Sequence, residues 1–180
     1  MVVKDKTKEL YNFFGDLLDY PKTGVLESAN NCKKLCKEVN LEASSLMEKF
    51  CKFIEKNSSE KLEEVYTNTF EMNTSCSSYA GYHLFGETHK RSIFMLELKE
   101  RYRLFNFATP GNELPDHLSL ILHFLAVCSD NELSCEIINE ALLPVLNKIK
   151  ENSTETYKWL LDALVLVLNS SSNKITISNN

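Results

Sequence analysis

Four histidines and six cysteines are the side chains in this sequence best suited to metal binding or redox chemistry. His83 and His89 lie six positions apart, as do His117 and His123. On a helix of about 3.6 residues per turn, that spacing places the members of each pair on different faces. Spacing alone therefore does not predict a metal centre. A metal-binding or redox helical protein that uses His83, His89, His117 and the cysteines remains an alternative.

The cysteines are explained more simply as core residues than as ligands or disulfides. The segment 1–9 alternates charged residues where a secretory signal would need a continuous apolar stretch, so we expect a cytoplasmic chain with reduced thiols. Cys32 and Cys36 are four positions apart and could share a helix face, but small thiols in such proteins are usually buried core residues. The others are Cys51, Cys76, Cys128 and Cys135.

Several enzyme classes lose support because their sequence patterns are missing. The five glycines are dispersed and form neither a P-loop, nor a Gly-x-Ser-x-Gly elbow, nor a dinucleotide-binding Gly-x-Gly-x-x-Gly. The chain has 20 basic and 25 acidic residues, a formal charge of -5, which disfavours a nucleic-acid partner. An acidic surface would instead attract a cationic protein or peptide. Together with the family resemblance given below, these absences predict a protein that binds another polypeptide and is not an enzyme.

Two short clusters concentrate the remaining chemical variety. The segment 79–91, Tyr-Ala-Gly-Tyr-His-Leu-Phe-Gly-Glu-Thr-His-Lys-Arg, combines aromatic side chains, two glycines and charges. It is explained either by a tightly packed corner between helices or by direct binding. The second cluster is 113–118, where Pro115 suits the first position of a helix and Asp116 its first turn. His117 would then make a partly buried polar contact.

The elements that position these clusters are helical. Apolar residues recur at helical spacing and no convincing alternation predicts a strand. The predicted helices cover about 10–18, 25–39, 46–54, 62–70, 79–85, 88–105, 115–128, 133–149 with a kink or break at Pro144, and 157–168. We predict an all-α, single-domain bundle of about eight or nine helices over 1–168, and a flexible C-terminal tail over 169–180. The longest apolar stretch, Trp159–Leu168, is too short to span a membrane.

Three motifs in order resemble the TorD/NarJ family: Leu62-Glu-Glu-Val-Tyr-Thr-Asn-Thr-Phe70, Gly81-Tyr-His-Leu-Phe-Gly-Glu-Thr-His-Lys-Arg91, and Glu113-Leu-Pro-Asp-His-Leu118 followed by Phe124-Leu125. The resemblance extends over about Thr7 to Leu168 and is strongest from Leu62 to Leu125. The NarJ branch is the most similar. Ser77-Ser78 and Ser92 depart from the pattern, where more Pro or Gly would be expected.

The resemblance implies a cytoplasmic chaperone. Its client would be the catalytic subunit of a molybdopterin oxidoreductase of the nitrate reductase or nitrite oxidoreductase type, held by its N-terminal or twin-arginine-like segment while the cofactor is inserted. It implies a monomer or weak homodimer without direct membrane insertion. No cofactor would be bound stably, and transient or indirect contact with the molybdopterin cofactor is left open. A helical scaffold with an unrelated client is a third alternative.

An apolar groove with acids at its rim would suit such a client. In the resemblance, the Pro-Asp-His-Leu helix start lies near the client, which implicates Asp116 and His117. The predicted groove comprises Tyr66, Phe70, Tyr82, Leu84 and Phe85; the predicted rim comprises Glu63, Glu87, Glu113 and Asp116; and His83, Arg91 and His117 complete the candidate client-binding set. Aromatics at helical spacing are more often core residues, and surface acids are usually only solvated.

Overall fold

The computed structural model describes the backbone of residues 6–178 and the side chains of residues 6–171. Within that part of the chain the regular structure is helical, no strand forms, and one isolated β-bridge is present. The helices are α1 (Lys6–Leu17), α2 (Val25–Val39), α3 (Leu41–Lys56), α4 (Ser59–Tyr66), α5 (Ala80–Phe85), α6 (His89–Leu104), α7 (Leu118–Val127), α8 (Asn131–Glu136), α9 (Leu143–Asn152) and α10 (Glu155–Ser178). The prediction of an all-α fold is confirmed.

Two helices continue through π-helical segments. Thr67–Glu71 extends α4, and Ile137–Leu142 joins α8 to α9. Pro144 lies in the first turn of α9, immediately after the second segment. Because proline lacks an N–H and its ring crowds the preceding turn, a locally wider turn accommodates it without ending the helix. Counted as continuous helices, the described residues form nine, in agreement with the predicted number.

Polar side chains cap the starts of several helices. Asn40 accepts a hydrogen bond from the Ala43 N–H at 3.0 Å and so caps α3. Asp130 accepts from the Leu133 N–H at 3.0 Å and caps α8. Such caps satisfy backbone donors that have no partner within the helix. They fix the ends of the helices that form the bundle.

The predicted start of α7 is wrong. The helix begins at Leu118, its N-cap is His117, and Pro115 and Asp116 form a turn before it. The Asp116 carbonyl accepts a hydrogen bond from the Ala80 N–H at 2.8 Å instead of beginning the helical ladder. This long-range bond prevails over the local preference of proline and aspartate for a first turn.

The core draws most of its buried side chains from α1, α3, α7 and α10 and from the π-helical and α9 segments between α8 and α10. Helix α2 packs along α3, α3 packs against α10, and α1 packs against both α2 and α7. Seven of the ten side chains of α7 are buried. All six cysteines are unpaired; Cys135 is half-buried and the other five are buried, and burial raises the pKa of Cys51 to about 11. The cysteines therefore pack as core thiols, as predicted.

The last helix is longer than the pattern suggests, since α10 continues past the predicted end at Leu168 to Ser178. The helical backbone of residues 169–178 does not test whether this segment moves, so the flexible tail predicted over 169–180 stays a prediction. Residues 179–180 lie outside the described part of the chain. No helix in the described part is both long and apolar enough to cross a bilayer.

Candidate functional site

The two chemical clusters meet through their backbones. Tyr79 and His117 form the isolated antiparallel bridge. The Ala80 N–H donates to the Asp116 carbonyl, and the Leu118 N–H donates to the Ser78 carbonyl, both at 2.8 Å. These bonds fasten the start of α5 to the start of α7, although the two segments are far apart in sequence.

A buried ion pair reinforces this junction. The Asp116 side chain is fully buried and receives the Arg91 guanidinium at 3.0 Å (Nε) and 3.4 Å (a terminal nitrogen). Gly81 makes room for the pair, because a Cβ there would lie 2.7 Å from Asp116 Oδ2. The Arg91 guanidinium also lies 5.7 Å from the centre of the Tyr79 ring. The prediction that Asp116 lies at an acidic rim is therefore wrong: it supports the junction from inside.

Beside the junction lies a cleft of about 310 Å³, here called the tyrosine cleft. Its aromatic side chains are Tyr20, which is 40% exposed, Tyr79, and the largely buried Tyr66 and Phe70. Its lining is completed by Asp19, Glu71, Thr74, Ser77, Ser78, Glu113 and His117. The cleft therefore combines aromatic surface with three carboxylates, which suits a ligand with apolar and basic parts.

The floor of the tyrosine cleft is continuous with the core. The rings of Tyr66 and Phe70 lie 5.8 and 4.9 Å from that of Tyr157, with their planes steeply inclined to it. Such edge-to-face packing stabilises the aromatic cluster beyond simple burial. Tyr66 and Phe70 are thus core residues whose remaining exposed edges line the cleft, so both interpretations made from the sequence apply.

The carboxylates of the cleft are held by specific donors. Glu113 accepts hydrogen bonds from the Tyr79 hydroxyl and the Leu114 N–H, both at 2.9 Å. Burial, together with Glu113, raises the pKa of Tyr79 to about 12, so its hydroxyl remains a donor. Burial alone would raise the pKa of Asp19, but hydrogen bonds from Lys22 and the Tyr20 N–H bring it below its ordinary value. Asp19 is therefore ionised near neutral pH.

A second cleft, of about 550 Å³ and here called the histidine cleft, adjoins the first. It shares Asp19, Glu113 and His117 with the tyrosine cleft. The rest of its lining is Asp16, Lys22, Pro110, Gly111, Asn112, Ser119, Leu120 and His123. Among the residues described, Lys22 is the one lysine or arginine that lines either cleft, and it is paired with Asp19. The joint surface is therefore acidic.

The two histidines of this cleft have different environments. His123 has both ring nitrogens engaged: Nδ1 lies 3.1 Å from Asn12 Oδ1 and Nε2 lies 3.3 Å from Asp16 Oδ1. His117 is buried, accepts a hydrogen bond from the Ser119 N–H at Nδ1, and packs edge-on to Tyr79. Burial lowers the pKa of His117, although the nearby Glu113, Asp19 and Asp116 act in the opposite direction.

Apart from Arg91 and Asp116, which form the buried ion pair, the predicted site residues divide into two groups. Tyr66, Phe70, Glu113 and His117 line the tyrosine cleft, and Glu63 touches its edge through a 3.0 Å bond from the Tyr20 hydroxyl. The other group consists of residues on or just after α5 that line neither of the two clefts: Tyr82, His83, Leu84, Phe85 and Glu87. Contact of this second group with a client stays a prediction.

Local contacts explain the placement of the α5 residues. His83 Nε2 lies 2.7 Å from the Ser77 carbonyl, and burial lowers the pKa of this imidazole. The Phe85 ring packs 5.5 Å from that of Phe94 on α6, and Glu87 is exposed. The segment 79–91 therefore forms the packed interhelix corner that was one of its two interpretations.

Several lining residues were missed from the sequence. Asp16, Asp19 and Tyr20 lie at the end of α1, where the sequence pattern predicts only that the first helix ends at about residue 18. The concentration of acids beside that helix end is a weak local signal. It does not reveal which loop the end of α1 meets. Among residues 6–171, no group of three or more His, Cys, Asp and Glu side chains is arranged to hold a metal ion.

Comparison with known proteins places this geometry in context. The sequence profile of the family described as nitrate reductase delta subunit matches residues 35–157. A protein of Bacillus subtilis described as a probable nitrate reductase molybdenum cofactor assembly chaperone, NarJ, is 31% identical over 157 residues, which cover 84% of each chain. The nitrate reductase-like protein NarX of Mycobacterium tuberculosis is 26% identical over 72% of this chain and 19% of its own length.

A solved structure supports the fold. The crystal structure of a protein of Archaeoglobus fulgidus described as a redox enzyme maturation protein has a TM-score of 0.61 to this chain. It is 20% identical, and the match covers 87% of this chain and 90% of that one. Its similarity is evidence for a shared helical architecture.

Proposed function

Because the chain belongs to the nitrate reductase delta subunit family, a family of molybdenum cofactor assembly chaperones, we propose that it binds the N-terminal region of the catalytic subunit of a nitrate-reductase-type molybdopterin oxidoreductase and assists cofactor insertion. This agrees with the TorD/NarJ resemblance of its motifs. The chaperone acts by holding the client segment until the cofactor is in place, which requires no catalytic group of its own.

The observation that supports this proposal best is the acidic, aromatic surface formed by the two adjoining clefts. A polypeptide segment with apolar and basic side chains can place the former against Tyr20 and Tyr79 and the latter near Asp19 and Glu113. The net charge of -5 favours encounter with a basic segment over an acidic one.

The remaining parts of the proposal concern the cellular form of the protein. We propose a single chaperone domain over 1–168 with a flexible tail over 169–180, acting in the cytoplasm as a monomer or weak homodimer. It holds no cofactor stably and contacts the molybdopterin cofactor only transiently or indirectly, through the client. Elemental analysis of untagged protein tests the metal-binding alternative, which stoichiometric zinc or iron would support.

Titration calorimetry with the full chain and a synthetic peptide from the N-terminus of such a catalytic subunit tests client binding. Glu113→Gln removes one cleft carboxylate and is expected to weaken binding by about 3- to 10-fold, the value of one hydrogen bond or ion pair. The matched control is Glu97→Gln, which removes an exposed acid on α6 that lines neither cleft. Failure of the wild-type chain to bind any such peptide would refute the proposal.

A further inference from the structure

We infer that His117 recognises a neutral carbonyl oxygen of the client polypeptide through an Nε2–H donor whose tautomer is fixed by the start of α7. The inference rests on the proposed function and specifies which chemical group of the client the shared part of the two clefts selects. Four observations support it: the bond at Nδ1, the free state of Nε2, the place of the ring in the clefts, and the charge around it.

The first observation fixes the proton. The Ser119 backbone N–H approaches His117 Nδ1 at 3.3 Å, and His117 thereby caps α7. A peptide N–H can only donate, so Nδ1 must be the unprotonated nitrogen that accepts. A neutral imidazole carries one proton, which is therefore on Nε2. The helix start thus makes His117 a hydrogen-bond donor at its far edge.

The second observation is that this donor is available. Nε2 has no hydrogen-bond partner among the described residues, whereas Nδ1 has one. Every side-chain nitrogen or oxygen that is inaccessible to solvent in the described part of the chain does have a hydrogen-bond partner. Because Nε2 has no such partner, it must be accessible to solvent, although His117 as a whole is only 5% exposed.

The third observation is the position of the His117 ring, which shows which surface its Nε2–H donor can reach. His117 lines both the tyrosine cleft and the histidine cleft, so an open edge of its ring faces the surface that they share. The ring is held by the Ser119 bond on one side and by Tyr79, 5.3 Å away between ring centres, on another. A donor fixed in this way needs little ordering when the ligand arrives.

The surrounding charge selects the acceptor. Asp19 and Glu113 line both clefts beside His117, and Asp16 and Glu71 each line one. A carboxylate or phosphate acceptor would be repelled by these groups, whereas a neutral amide carbonyl would not. Polypeptides offer such a carbonyl at every residue. Burial also lowers the pKa of His117, and a second proton would have to displace the Ser119 bond, so the donor stays neutral near pH 7.

His117→Asn separates the donor from the cap. Asparagine is among the best N-cap residues, so α7 remains capped, but its side chain ends short of the position of Nε2. We expect this variant to bind the N-terminal client peptide about 3- to 10-fold more weakly than the wild type, the value of one hydrogen bond. The matched control is His89→Asn, an exposed histidine that lines neither cleft, for which affinity is unchanged.

Amide-to-ester substitution along the peptide locates the acceptor, since an ester carbonyl accepts hydrogen bonds more weakly. One ester position should weaken binding to the wild type and have little further effect on His117→Asn. In the wild-type chain, long-range proton–nitrogen NMR correlation should show Nδ1 unprotonated and Nε2 protonated. The NMR and ester experiments on the wild type do not depend on the folding of any variant.

The outcomes are distinct. Without peptide binding by the wild type, the proposed function fails, and this inference fails with it. If the wild type binds the peptide, any one of three results would overturn this inference while the proposed function stands. These are an affinity of His117→Asn equal to that of the wild type, the lack of an ester position whose effect depends on His117, and a proton on Nδ1.

Discussion

Removing the Asp116 carboxylate should destabilise the protein far more than removing an exposed acid. In Asp116→Ala the Arg91 guanidinium loses its partner while its side chain stays only 16% exposed. Breaking a buried ion pair lowers the free energy of unfolding by about 3–5 kcal/mol. Because Arg91 keeps some exposure to solvent, we expect a loss at the lower end of this range, about 3 kcal/mol. For a chain of this size, that corresponds to a decrease in Tm of about 6–12 °C.

Urea unfolding followed by far-UV circular dichroism measures this loss. The control is Glu136→Ala, which breaks the exposed 2.9 Å pair between Arg101 and Glu136 and should cost about 0–1 kcal/mol. A double variant, Arg91→Leu with Asp116→Leu, should recover part of the loss because no unpaired charge remains. If Asp116→Ala were no more destabilised than Glu136→Ala, the buried pair would not be the support of the junction.

Three further predictions concern other features of the chain. Gly81→Ala should lower the free energy of unfolding by about 1–3 kcal/mol in the same urea assay, because the new Cβ would lie 2.7 Å from Asp116 Oδ2; an unchanged midpoint would argue against that crowding. Burial lowers the pKa of His83 and His117, so below about pH 6.5 the unfolded chain binds more protons than the folded one and stability falls as the pH decreases. Urea titrations at about pH 7.5 and about pH 5.5 should show a smaller decrease for His117→Asn than for the wild type, and an equal decrease would contradict the assignment. The half-buried Cys135 should react with a thiol reagent in the native protein before the five buried cysteines do, which spectrophotometric titration measures; rapid native reaction of several thiols would contradict their burial.

The helices were predictable because their causes are local. Apolar spacing of three and four residues, Pro21 after α1 and Gly86 after α5 mark their limits without reference to the rest of the chain. The start of α7 was not predictable in this way, because Pro115 and Asp116 have a strong local preference for the first turn of a helix. A hydrogen bond from the Ala80 N–H to the Asp116 carbonyl overrides that preference.

By itself, the sequence determined the helical class, the order of the three motifs and hence the family. Only the tertiary structure decided that Asp116 is buried beneath Arg91 while Glu113 faces a cleft. The two acids are close together in one loop, and in a loop the sequence does not fix whether a carboxylate points into the core or toward solvent. It also decided that Asp19 and Tyr20, at the end of α1, complete that cleft. The physical reason is that a binding surface is assembled from segments far apart in the chain, whose approach depends on the packing of all the helices together.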